Sequence, residues 1–260
     1  MPHPTTQKER THRMKQHPTP PCIAVIVAGG SGARMEQPVN KIFLDVCGIP
    51  VLAHTLMAFE QSALIDDIVI VTRECDIVDC KAVCDDFGIS KLTTIVTGGV
   101  TRQESVQKGL AEVAYDDCIV AIHDAARCVI TPEQIDDIVG AVTAPCVGAA
   151  QPPCVGAAPG VPCKDSLKRV DSAGNIAATI EREGVWQVQT PQVFRRADIA
   201  AAHDAAARQG AAATDDCELA ERFGISVKMV MGSYANIKIT TPEDLRIAET
   251  LIGMLPSFRA

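Results

Sequence analysis

The run Ile23–Val27, with Ala28-Gly29-Gly30-Ser31-Gly32 directly behind it, constrains the fold of this chain more than any other segment. It is apolar throughout and rich in β-branched residues. That is the signature of a strand covered on both faces. A strand hidden on both faces needs helices on both sides, which predicts a layered α/β architecture. The next segments repeat the theme. Helical spacing over Val51–Gln61 precedes a strand at Ile68–Val71. A helix over Asp76–Phe87 precedes a strand at Thr93–Val96. A helix over Ser105–Ala114 precedes a strand at Cys118–Ile122. Thr131-Pro132-Glu133-Gln134 then has the form of a capping box and opens a helix to about Ala144. Such alternation predicts a Rossmann-like, mostly parallel sheet with right-handed crossovers. At 260 residues the chain can bury the core of one such domain.

The pattern changes after Pro145. Pro145–Pro152 (PCVGAAQP) is nearly repeated in Pro153–Gly160 (PCVGAAPG), and reads as a tandem duplication in a surface loop. Ser166–Val170 and Ile176–Ile180 flank the turn-forming stretch Asp171–Asn175, which predicts a hairpin. It is too polar for a core element, so we expect an arm projecting from the domain at about 161–189. Helices and short strands return from Ala197. The last helix should start near Pro242, capped by Thr240 or Thr241.

Composition excludes several classes. A net charge of −8 argues against a nucleic-acid surface. No apolar run is long enough to span a bilayer. The segment 1–21 is rich in Pro, Thr, His and basic residues and has no apolar centre, so it reads as a disordered tail rather than a signal peptide. The cysteines include no C-x-x-C pair, and the closest cluster is Cys75, Cys80 and Cys84. Reduced thiols in a cytoplasmic protein are expected, not a zinc site.

Three loops carry the chemistry. Ala28–Met35 (AGGSGARM) follows the first strand, and Lys41 lies close behind. In an open α/β sheet, ligands bind beyond the carboxyl ends of strands. Glycines there let backbone N–H groups approach phosphate oxygens, and Arg34 and Lys41 add fixed positive charge. A dinucleotide fingerprint fails at Met35, and a P-loop would need a Gly-Lys-Ser/Thr that is absent. An ordinary strand-to-helix turn with two surface cations has the same composition. Gly98–Ser105 (GGVTRQES) follows the third strand, and His123–Arg127 (HDAAR) ends the fourth. Taken singly, one is a loop capped by Ser105 and the other a salt-bridge pair. Three such loops at three successive strand ends would line one crevice. No Ser/His/Asp triad or HExxH motif is visible. A phosphate monoester can itself attack a nucleotide α-phosphate, and the protein then needs only positioning and positive charge.

The ordered set AGGSGARM with Lys41, GGVTRQESV, HDAAR, KDSLKRV, TIER, QTPQVF, ATDD and NIKITTPEDL resembles the 2-C-methyl-D-erythritol 4-phosphate cytidylyltransferases of non-mevalonate isoprenoid synthesis, from about Pro21 to Ile252. The resemblance implies one nucleotidyltransferase domain over 22–260 and a β-arm that makes a homodimer. Its ligands would be CTP and a small polyol phosphate, with no nucleic acid and no membrane. CMP would pass from CTP to methylerythritol phosphate by in-line attack, giving 4-diphosphocytidyl-2-C-methyl-D-erythritol and pyrophosphate. It implies that Gly30, Arg34 and Lys41 bind the triphosphate, with Arg34, Lys41 and Lys238 catalytic. Gly99, Val100, Arg102 and Ser105 would form the cytosine pocket. Asp124 and Ala125 would face the ribose and metal region. Thr214, Asp215 and Lys238 would lie at the sugar phosphate, and Arg169 and Thr179 on the arm would reach the partner's site. Mg2+ or another divalent cation would be held mainly by the triphosphate, with Asp124 the candidate protein ligand. The chain departs from the family at Asn40, where Pro is common, and at Cys128, where Pro is usual. A ribitol 5-phosphate cytidylyltransferase shares the glycine loop and the TPQ segment but differs at the strand-four motif. A nucleotide-sensing protein on the same fold would not need Arg34, Lys41, Asp124 and Lys238 together.

Overall fold

The computed structural model describes residues 20–30, 40–143 and 155–255. Arg34, the first copy of the duplication and the segment before residue 20 lie outside the described residues. The first half runs β1 (Cys22–Val27), β2 (Asp45–Val46), β3 (Ile49–Pro50), α1 (Val51–Gln61), β4 (Asp67–Thr72), α2 (Ile77–Asp86), β5 (Leu92–Thr97), α3 (Arg102–Ala111), β6 (Ile119–Asp124) and α4 (Pro132–Thr143). The second half runs β7 (Gly156–Pro162), β8 (Leu167–Val170), β9 (Ile176–Ile180), β10 (Trp186–Val188), β11 (Gln192–Arg195), α5 (Arg196–Gln209), α6 (Asp216–Arg222), β12 (Val227–Met231) and α7 (Pro242–Ile252).

Strand β1 is central and buried on both faces. Ala24 and Ile26 pack with Leu56, Phe59 and Ile135 from the α1 and α4 side. Ile23 and Val25 pack with Val106, Leu110 and Ile199 from the α3 and α5 side. It pairs in parallel with β4 on one side and β6 on the other, and β5 extends the sheet beyond β4. The chain thus spreads from β1 to β4 to β5, then returns to the opposite side of β1. The order reverses between β1 and β6, the place where an open α/β sheet offers a ligand crevice. Strand β11 adds to β6 antiparallel, and β7 carries the sheet on to its edge strand β12.

Helix α3 starts earlier than the expected Ser105. The Thr101 hydroxyl accepts the Glu104 N–H at 3.1 Å and caps the helix, so Arg102 occupies its first turn. The expectation of a surface loop for the duplication also fails for its second copy. That copy supplies β7, which is buried along Gly156–Val161. The reason is steric. A Cβ at Gly160 would overlap Met229 Cε and come within 3.1 Å of the Gln187 carbonyl oxygen. The first copy has Pro152 at the equivalent place, which this close approach would not accept.

The chain leaves the sheet at Pro162, and β10 pairs back onto the same strand, with Trp186 opposite Pro162. The intervening segment holds the hairpin β8–β9, a separate two-stranded sheet. Its turn is built by Asp171, whose Oδ1 accepts the N–H groups of Ala173 and Asn175, each at 2.9 Å. Val170 and Ile176 are exposed on it.

Candidate active site

A cleft of about 360 Å³ opens at the carboxyl ends of β1, β5 and β6. Gly29 and Gly30 continue from β1 along its wall. Asn40 orients the chain that re-enters the cleft. Its side chain donates to the Ala28 carbonyl at 3.2 Å and to Asp76 Oδ2 at 2.8 Å, and Arg73 braces Asp76 at 2.6 Å. Its Oδ1 caps the short 3-10 turn Lys41–Phe43. Asn40 therefore does by hydrogen bonding what a proline would do by ring constraint: it sets the entry of the chain into Lys41. Lys41 faces the cleft, and its Nζ donates to the Ile239 carbonyl at 2.7 Å.

The second wall is the loop from Gly98 to Ser105. The Gly99 N–H donates to Ser105 Oγ at 3.0 Å, and the Val100 N–H to Glu104 Oε2 at 2.7 Å. A Cβ at Gly99 would overlap Glu104 Cβ, so only glycine lets the loop fold this tightly on the helix start. Arg102 then points from the first turn of α3 into the floor of the cleft.

Asp124 ends β6, directly opposite Val27 of β1. Its Oδ1 is 3.0 Å from Arg102 Nε and its Oδ2 is 2.6 Å from Lys238 Nζ. Burial alone would raise this carboxyl, but Arg102 and Lys238 outweigh it and hold Asp124 well below the usual carboxylate range. Burial by itself would lower the Arg102 guanidinium, and Asp216 and Asp124 reverse that. Behind Asp124, its N–H donates to Thr190 Oγ1 at 3.1 Å, and Thr190 Oγ1 lies 3.0 Å from His123 Nδ1. The Arg127 carbonyl, 3.3 Å from Nε2, can only accept, so Nε2 carries the proton and the Thr190 hydroxyl donates to Nδ1. Burial pushes His123 down to about 3, so the ring is neutral. Asn236 ties the Thr190 carbonyl to the segment carrying Lys238, and the Ile239 N–H reaches the Ala126 carbonyl at 2.9 Å.

The structure brings Gly30, Lys41, Gly99, Val100, Arg102, Ser105, Asp124 and Lys238 to one cleft. Ala125 lies beneath it, fully buried, and Ala126 lines the wall instead. Thr214 and Asp215 stand outside the lining. Both Thr214 donors go to Glu218, and Asp215 caps α6 through the Glu218 N–H at 2.8 Å. Arg169 and Thr179 are on the exposed hairpin, where Thr179 accepts from Lys168 at 2.7 Å. Sequence alone marks Thr240 only as a helix cap, not as part of the cleft, and does not single out Asp216 or Thr190. The second aspartate of ATDD and the threonine of QTPQ are visible there, but not the direction in which they point. Among the described residues no group of three His, Cys, Asp or Glu side chains could hold a metal, and every described cysteine is free.

Among the described lining residues three cations, Lys41, Arg102 and Lys238, face the single carboxylate of Asp124, and Asp216 holds Arg102 from behind the wall. Such a surplus in a concave site suits a polyanion. No described helix is long and apolar enough to cross a membrane.

Comparison with known proteins agrees with this chemistry. The model of the 2-C-methyl-D-erythritol 4-phosphate cytidylyltransferase family matches residues 22–254. A cytidylyltransferase of that name from Geotalea uraniireducens is 42% identical over 239 residues, covering 91% of this chain and 98% of the relative. One from Caldanaerobacter subterraneus is 43% identical, covering 88% and 97%. The crystal structure of 4-diphosphocytidyl-2C-methyl-D-erythritol synthase from Anaerococcus prevotii superposes with a TM-score of 0.76 at 29% identity, over 90% of this chain and 96% of that one. The chain belongs to the 2-C-methyl-D-erythritol 4-phosphate cytidylyltransferase family of nucleotidyltransferases.

Proposed function

We propose that the cleft between β1 and β6 holds CTP while the phosphate of 2-C-methyl-D-erythritol 4-phosphate attacks its α-phosphorus, giving 4-diphosphocytidyl-2-C-methyl-D-erythritol and pyrophosphate. The observation that carries this reading is the convergence of Lys41, Arg102 and Lys238 around a cleft of nucleotide dimensions at the point where strand order reverses. In this reading Gly30, Lys41 and Arg34 take the triphosphate. Gly99, Val100, Arg102 and Ser105 take the base, and Asp124 the ribose. Lys41 and Arg34 hold the charge that grows on the α-phosphoryl oxygens as the new bond forms. Lys238, pinned by Asp124, presents its ammonium to the incoming phosphate. Ser105 and Thr240 do not serve as nucleophiles. The Ser105 hydroxyl is committed to Thr101 and Gly99, and that of Thr240 to Asp244.

A divalent cation fits this site as cargo of the triphosphate. Asp124 is the only acidic side chain among the described lining residues, and each of its oxygens already faces a cation. Phosphate oxygens would supply the ligands, and the ion would neutralise charge on the leaving pyrophosphate. Arg169 and Thr179 belong to a hairpin with exposed Val170 and Ile176, which favours a homodimer in which each arm serves the other subunit. We place the enzyme in the cytoplasm, where its nucleotide substrate is found.

The test is a substrate panel. Purified protein is given CTP with methylerythritol phosphate, ribitol 5-phosphate or no acceptor, with and without excess chelator, and pyrophosphate is measured. Release with methylerythritol phosphate alone, abolished by chelator, supports the reading. Equal release with ribitol 5-phosphate would defeat the acceptor assignment, and turnover in chelator would defeat the metal.

A further inference from the structure

One unbroken chain of side chains leads from the interior to the cleft. His203, on the buried face of α5, has Nε2 3.0 Å from Asp216 Oδ1. Asp216 Oδ2 is 2.8 Å from Arg102 Nη1. Arg102 Nε is 3.0 Å from Asp124 Oδ1, and Asp124 Oδ2 ends the chain on Lys238. His203 and Asp216 are each 1% exposed. Burial by itself would raise the Asp216 carboxyl, but Arg102 and the His203 hydrogen bond outweigh it and keep it ionised. An ionised carboxylate only accepts, so His203 Nε2 carries the proton. Gln192 fixes the other side of Asp216 by accepting its backbone N–H at 2.9 Å.

Arg102 Nη2 is buried and has no hydrogen-bond partner among the described residues. That nitrogen shares one edge of the guanidinium with Nε and the other with Nη1. Either carboxylate could take it as the second tooth of a fork, the preferred geometry for an arginine–carboxylate pair. Neither does. Asp124 has its second oxygen on Lys238, and Asp216 has its second oxygen on His203. Each carboxylate holds Arg102 by one oxygen only, and the guanidinium is shared between them.

We propose that His203 is a positioning residue of the nucleotide site: by holding Asp216 Oδ1 it keeps that carboxylate from closing a fork on Arg102, so that Arg102 remains shared with Asp124 at the cleft. Without the imidazole donor, Asp216 Oδ1 is left buried and unsatisfied, and Arg102 Nη2 is the nearest unused donor on a side chain Asp216 already holds. Rotation of Asp216 onto both Nη atoms would draw the guanidinium inward and lengthen its bond to Asp124. His203 touches neither the nucleotide nor the acceptor. It acts through Asp216.

The inference rests on the nucleotide site proposed above, and the experiment separates the two. CTP affinity is measured by calorimetric titration, without turnover, alongside KM, kcat and Tm. His203→Phe keeps the ring volume and removes the donor. We expect its Kd and KM for CTP to rise about tenfold, the scale of one hydrogen bond to a charged group, with kcat changed by less than about threefold. His203→Gln can place its amide nitrogen where Nε2 stands, and should bring CTP affinity back to within about twofold of wild type. Should the Phe ring prevent folding, His203→Met, flexible and without a donor, takes its place in the comparison. Unchanged CTP affinity in the donor-free variant, or a Gln variant as weak as the donor-free one at similar Tm, overturns the positioning role. Failure of the wild-type protein to bind CTP removes the nucleotide site and this inference together.

Discussion

Lys238 Nζ meets Asp124 Oδ2 at 2.6 Å, where the segment leading into α7 crosses the end of β6. Arg102 takes the other oxygen of the same carboxylate. One side chain thus joins three separated stretches of chain: the first turn of α3, the end of β6 and the approach to α7. Each is visible in the sequence as a motif, and the carboxylate is what makes them one site.

Lys41 enters the same cleft behind Asn40, and its Nζ donates to the carbonyl of Ile239, the residue after Lys238. If it acts on the α-phosphoryl group as charge develops, Lys41→Ala should lower kcat by about 10²-fold or more, with a smaller change in KM for CTP. Steady-state kinetics decide it. A change confined to KM would mean that Lys41 binds ground and transition states alike.

Gly99 tests the base pocket. A methyl group there would overlap Glu104 Cβ, and the loop would have to move off the start of α3. Gly99→Ala should raise KM for CTP by about tenfold, with about 1–2 kcal/mol lost from stability, because the overpacking is local. Kinetics and denaturant unfolding read the two effects. Wild-type KM in this variant would show that the loop is not part of the nucleotide site.

His123 makes stability depend on pH. Burial holds its folded value at about 3, against about 6.5 in an unfolded chain. Between those values the unfolded chain binds a proton that the native chain refuses, so stability falls as pH drops through that window. Burial also lowers His54, which adds a slope of the same sign. Urea unfolding at pH 7 and pH 5 should show wild type losing more stability than His123→Gln over that interval. Equal losses would contradict a neutral, sealed imidazole.

The arm can be tested by mixing. Arg169→Ala and Lys41→Ala should each be nearly inactive. Mixed and allowed to exchange subunits, they should recover activity approaching about a quarter of wild type, because half the dimers are mixed and each holds one intact site. No recovery, with exchange shown independently, would place Arg169 in its own subunit's site.

The central strands are legible in the sequence because burial on both faces leaves an unbroken apolar run, as at Ile23–Val27. The glycine loops are legible because two glycines together directly behind an apolar strand stand out in the sequence, and at Gly98 and Gly99 the close approach of Ser105 and Glu104 leaves no room for a side chain. Strand β7 is not. GAAPGVP carries the residues that argue against a strand, and only the close approach of Met229 and Phe194 explains its glycines. The start of α3 is ambiguous in sequence because Thr101 and Ser105 are both credible caps, and only the bond from the Glu104 N–H to the Thr101 hydroxyl chooses between them. The pairing of Asp216 with His203 is beyond reach, since it depends on how α5 packs against α6. A periodic pattern shows that a face is buried, and not which residue it meets.

The central claim is a single direct displacement at the α-phosphorus, with the acceptor phosphate as nucleophile and the protein supplying charge and position. The stereochemical course tests it most directly. CTP bearing one sulfur of known configuration at the α-phosphorus is converted with methylerythritol phosphate, and the configuration of the product is determined by phosphorus NMR. A single in-line attack predicts inversion. Retention would require two displacements through a nucleotidylated enzyme, and would contradict the account.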